Sequence, residues 1–104
     1  MKKSLVNTTD EIRKSLRERI PELHARYGVK SLGIFGSYVH GQQKKRSDVD
    51  LLVEFEDHAP VTLVSFVALE RELGNILGKK VDLVERDTLK PVIGKRILAE
   101  VIPV

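Results

Sequence analysis

The chain has 104 residues, no cysteine and a formal charge of +3, with 41% hydrophobic and 32% charged residues. That length suits a single domain, residues 1–104, with one core and little to spare, which leaves room for a partner and a hetero-oligomer. Without cysteine there is neither a disulfide framework nor a zinc–thiolate site, which suits a cytoplasmic protein. The mild basicity, carried by Lys2, Lys3 and Lys44-Lys45-Arg46, does not by itself point to nucleic acid, and no apolar run approaches the ~20 residues of a membrane span.

Residues 1–7 carry no pattern and are assigned no role. Thr8 followed by Glu11 has the spacing of a capping box, and Ile12, Leu16 and Ile20 repeat along one helical face, so a helix is predicted from Thr9. Arg13, Lys14, Arg17, Glu18 and Arg19 are read as its water-facing side. Pro21 lacks an amide donor, so the first helix ends before it and a shorter segment runs through Leu23 to Tyr27, stopped by Gly28. The apolar run ending Ser31-Leu32-Gly33-Ile34-Phe35 reads as a strand, and Ser37 to His40 as a single helical turn in which Tyr38 and Val39 pack locally. The loop 42–47 either touches a bound anion with its cations or is simply solvated. Ser47 is placed to cap the loop or orient Asp48.

Asp48 to Phe55 reads as a central strand covered on both faces. A turn at 57–60 leads to the longest helix, Thr62 to Leu77, marked by Phe66, Leu69, Leu73, Ile76 and Leu77 and ended by Gly78. Lys80 to Glu85 is a third strand. A short helix follows, with Thr88 as cap, Pro91 in its first turn, and Ile93, Ile97 and Leu98 facing inward. The apolar end, Val101 to Val104, docks either on its own sheet or on a partner.

Two stretches carry chemistry. Gly36 and Ser37 leave a strand end, where a glycine admits close approach of a ligand to the main chain and a serine adds a hydroxyl, a combination suited to phosphate oxygens. Ten residues later Asp48 and Asp50 stand two apart, which on a strand puts both carboxylates on one face. Like charges that close call for water, a basic partner or a divalent cation, and Mg2+ prefers carboxylate and phosphate oxygens. Asp82, among Val81, Leu83 and Val84, is either a polar residue on an edge strand or a carboxylate with a partner.

Gly36-Ser37, ten residues, then Asp48-Val49-Asp50 resembles the signature of the nucleotidyltransferase superfamily that includes DNA polymerase beta, and within it the small prokaryotic MNT-domain antitoxins encoded beside HEPN-domain toxins. The resemblance runs over nearly the whole chain. It implies an α/β fold, a small mixed β-sheet flanked by helices, agreeing with the predicted elements. It also implies transfer of AMP from ATP to a tyrosine of a HEPN ribonuclease toxin. In that reaction Gly36 and Ser37 grip the phosphates, while Asp48, Asp50 and Asp82 are the catalytic carboxylates and hold two Mg2+ ions. The three should titrate as a coupled group. One departure stands out: the family commonly has Ala-Arg where this chain has Val39-His40, and histidine carries only part of arginine's charge at neutral pH. The rival reading is a binding module that covers its toxin without chemistry. Transfer to a small molecule would ordinarily require a second substrate-binding domain.

Overall fold

In the computed structural model, residues 8–39, 48–89 and 91–104 are described, with Ser37 and Ile93 described by their main chain alone. Expectations for residues 1–7, the His40–Ser47 segment, the Ser37 hydroxyl and the inward-facing Ile93 lie outside the described residues. The elements run α1 (Thr9–Arg17), α2 (Ile20–Tyr27), β1 (Val29–Phe35), a 3-10 turn (Gly36–Tyr38), β2 (Val49–Phe55), α3 (Leu63–Leu77), β3 (Val81–Glu85), a second 3-10 turn (Arg86–Thr88), α4 (Pro91–Glu100) and β4 (Ile102–Pro103).

Helices α1, α2 and α3 have caps or stops with a chemical reason. The Thr8 hydroxyl accepts the Glu11 amide at 3.2 Å and donates to the Glu11 carboxylate at 3.0 Å, relieving one unpaired amide of the first turn. Pro21 opens α2, and Gly28 closes it in the left-handed region at φ 74°, where a side chain would be strained. On α3 the reciprocal cap is Thr62 with Ser65, and Gly78, at φ 66°, ends it. Thr88 does not cap α4 as predicted. Its hydroxyl donates to the Glu85 carbonyl at 2.8 Å, inside the preceding 3-10 turn.

The sheet order is β3-β2-β1-β4, with β2 antiparallel to β1 and parallel to β3, and β4 antiparallel to β1. This is the mixed sheet expected, and β2 is interior. Alternation sorts its side chains: Val49, Leu51 and Val53 share a face with Leu32 and Ile34 of β1 and with Val81 and Leu83 of β3. Onto that face pack Ile12 and Leu16 of α1, Leu23 of α2, and Leu69, Leu73 and Leu77 of α3, all buried. The opposite face, carrying Asp50, Leu52 and Glu54, is covered in its middle, where Leu52 is 6% exposed, and is half-open at both carboxylates. Expected cover on both faces is thus complete on one alone. Val101 lies so close to Gly33 that a Cβ there would overlap its methyl group.

The chain's apolar end docks on its own sheet. Ile102 and Pro103 pair with Ile34 and Gly33, and the Val104 amide donates to Leu32 at 2.9 Å. Arg13 and Arg17, read from sequence as merely solvated, reach from α1 to this segment: their Nε groups donate to the Pro103 and Val104 carbonyls at 3.0 and 3.2 Å. Leu98, predicted to face inward, is 41% exposed, whereas Ile97 is half-buried. Most described side chains of α4 are exposed, so its inward stripe is narrower than periodicity suggested. Among the described residues no helix is long and apolar enough to cross a membrane.

Candidate active site

The turn after β1 is held from both sides. Tyr38, 3% exposed, drives its ring into the core, and its carbonyl accepts the Thr9 hydroxyl at 3.0 Å, tying the turn to the start of α1. The Val39 amide closes the 3-10 turn on the Gly36 carbonyl at 3.1 Å. Gly36 has φ 76°, and a Cβ on it would overlap the Asp50 carboxylate. Glycine is therefore required there twice over: for the left-handed backbone, and because the acidic side chain occupies the space. Ser37 follows within the same turn.

Register then assembles the acidic corner. Phe35, the last residue of β1, pairs with Asp50, and Asp50 pairs with Asp82 across the parallel β2–β3 ladder. Partners in a ladder project to the same face, so the Asp50 and Asp82 carboxylates stand side by side beyond the Gly36 turn. Asp48 lies one residue before β2 and is exposed. The expected pair Asp48 and Asp50 is joined by Asp82 across the parallel ladder, and the charges of both Asp82 and Asp48 act on Asp50. Strand pairing begins only at Val49, whose amide donates to the Lys80 carbonyl at 2.9 Å.

Electrostatics separate the two half-buried carboxylates of this face. Glu54 is paired: Arg86 lies 3.1 Å away, Lys30 3.9 Å, and the Ser31 hydroxyl donates at 3.2 Å. Asp50, four residues earlier on the same face of β2, has the opposite surroundings. Burial first, then the negative charges of Asp82 and Asp48, hold its pKa above the ordinary carboxylate value, and among the described residues no cation offsets them. A half-buried carboxylate with two others beside it suits a cation brought from solution.

Among the described residues no three His, Cys, Asp or Glu side chains are gathered into a ready-made metal site. The donor chemistry nevertheless fits magnesium bound together with a nucleotide, since Mg2+ characteristically takes one or two carboxylates and completes its shell with phosphate oxygens and water. The Gly36 main chain lies directly against the Asp50 carboxylate.

The sequence profile described as nucleotidyltransferase domain matches residues 10–104. The protein adenylyltransferase MntA of Thermococcus cleftensis is 45% identical over 95 residues, spanning 91% of this chain and 94% of that protein. A solved structure of a minimal nucleotidyltransferase superposes with a TM-score of 0.72 at 36% identity, covering 88% of this chain and 91% of that one. A toxin–antitoxin complex with AMP-PNP superposes with a TM-score of 0.65 at 26% identity, over 90% of this chain and 69% of that chain.

Proposed function

This chain belongs to the nucleotidyltransferase domain family, and we propose that it is an antitoxin that transfers AMP from ATP to a tyrosine hydroxyl of a cognate HEPN ribonuclease toxin. The observation that carries the reading is the carboxylate cluster, with Asp50 in register with Asp82 and close against Gly36. The similarity to MntA, an adenylyltransferase, and to a toxin–antitoxin complex with an ATP analogue supports it.

In this reading the Gly36-Ser37 turn receives the β- and γ-phosphates, and Asp48, Asp50 and Asp82 are the groups that would hold two Mg2+ ions. Bound there, those ions would supply positive charge to the α-phosphate and the departing pyrophosphate and would acidify the attacking hydroxyl. The hydroxyl oxygen bonds to the α-phosphorus as the bond to the β-phosphate bridge breaks, and no covalent enzyme intermediate forms. The partner's surface holds the oxygen in line, a positioning effect worth several kcal/mol, roughly.

Incubating the two proteins with ATP and magnesium should add one or more AMP masses to the toxin in intact-protein mass spectrometry. The Asp48→Asn, Asp50→Asn double variant should add none. If the natural protein adds no mass and the double variant still neutralises the toxin at equal stoichiometry, the protein acts by binding alone.

A further inference from the structure

Strand β3 carries Asp82 at the margin of the sheet, where one side of its main chain has no strand partner. In a parallel ladder, successive residues direct their main-chain groups to opposite sides. The Lys80 carbonyl accepts the Val49 amide of β2, which sets the parity: Lys80, Asp82 and Val84 bond inward to β2, while Val81, Leu83 and Glu85 point their amides outward. An outward amide in a partly buried position must find another acceptor. For Leu83 that acceptor is a side chain from a helix. The Glu70 carboxylate of α3 takes the Leu83 N–H at 2.9 Å.

We propose that Glu70 is a positioning residue for the acidic site, fixing β3 at the residue next to Asp82 and so setting the distance between the Asp82 and Asp50 carboxylates. The anchor is stiff on the helix side, because Glu70 lies between Leu69 and Leu73, both fully buried. It is stiff on the strand side too, because the Leu83 side chain is 5% exposed in the same core. A carboxylate accepting an amide makes a shorter and stronger bond than a neutral acceptor does. Asp82 is repelled by Asp50, so an edge strand free to splay would relieve that repulsion by moving Asp82 away. Glu70 opposes this movement from the far side of the strand. It touches neither substrate nor metal, and its contribution is the separation of two groups that do.

The inference rests on the transfer activity proposed above, so its test has one arm that does not depend on activity. Amide hydrogen exchange of the natural protein should show the Leu83 N–H protected, and Glu70→Ala should abolish that protection while the Asp82 amide exchanges faster. With ATP, magnesium and toxin, Glu70→Ala should lower the transfer rate or raise the magnesium requirement by about 10- to 100-fold, the usual range for residues that orient ligating groups. The KM for ATP at saturating magnesium should stay close to the natural value, since the Gly36 turn lies on the other side of β2. Glu70→Gln, whose amide oxygen can accept the same N–H, should restore most of the rate and the protection. A Leu83 amide unprotected in the natural protein overturns the proposal even if Glu70→Ala fails to fold. So does a well-folded Glu70→Ala with unchanged rate and magnesium dependence, or Glu70→Gln as impaired as Glu70→Ala. A natural protein that transfers nothing defeats the proposed function instead, and the exchange experiment still decides whether Glu70 pins the strand.

Discussion

At the scale of a single residue, Asp50 shows how the site trades stability for charge. Its folded-state pKa is raised, so the folded protein holds the Asp50 proton more tightly than the unfolded chain does. That contribution to stability is fully present below the unfolded pKa and is lost as pH rises through the folded one. At neutral pH the metal-free protein therefore carries an uncompensated cost. Asp50→Asn removes it, so chemical denaturation at neutral pH should find the variant more stable than the parent, with the two converging below pH ~4, the unfolded aspartate range. The same variant should lose nucleotide transfer by roughly 100-fold or more, as when one electrostatic stabiliser of a transition state is removed. Gly36→Ala should fail differently. It places a Cβ in the left-handed region and against the Asp50 carboxylate, which should cost about 1–2 kcal/mol in denaturant unfolding and suppress ATP binding by displacing the acid.

At the scale of elements, two kinds of contact hold the site's frame. Apolar burial fastens α3 to the sheet through Leu69, Leu73 and Leu77, and Leu73→Ala should cost about 2–5 kcal/mol in denaturant unfolding. The β4 segment is fastened more lightly, by three main-chain pairings and by the Arg13 and Arg17 donors from α1. Both guanidinium bonds are exposed, so replacing both arginines with alanine should cost no more than about 1 kcal/mol. The informative readout is local: faster amide exchange at Val104, with the core amides unchanged.

At the scale of the whole molecule, nucleotide and magnesium should act as folding ligands. A ligand that binds the native state alone stabilises it by about 2.7 kcal/mol when its concentration is 100 times its dissociation constant. Millimolar ATP with magnesium should raise the melting temperature. ATP with excess chelator should not, because the triphosphate would then add negative charge to an already repulsive corner. An equal shift with and without magnesium would show that the carboxylates do not hold the cation. The Asp48→Asn, Asp50→Asn variant should show little shift under either condition.

Local chemistry made much of this protein legible in its sequence. Caps at Thr8 and stops at Gly28 and Gly78 act within a few residues, and the helical repeat of Leu69, Leu73 and Leu77 marks a buried face wherever the helix packs. The Gly36-Ser37 and Asp48-Val49-Asp50 spacing pointed to the acidic corner for the same reason, since a turn and a strand so close in sequence have few ways to be far apart. What only the tertiary structure decided lies between residues distant along the chain. Pairing register made Asp82 the cross-strand neighbour of Asp50, because a shift of one residue would turn the carboxylate to the other face. The docking of Ile102 and Pro103 on β1 gave Arg13 and Arg17 carbonyls to bind. Nothing in the pattern distinguishes Glu70 from the other charges of α3. Its acceptor role exists only because β3 runs along the edge of the sheet and turns the Leu83 amide toward that helix.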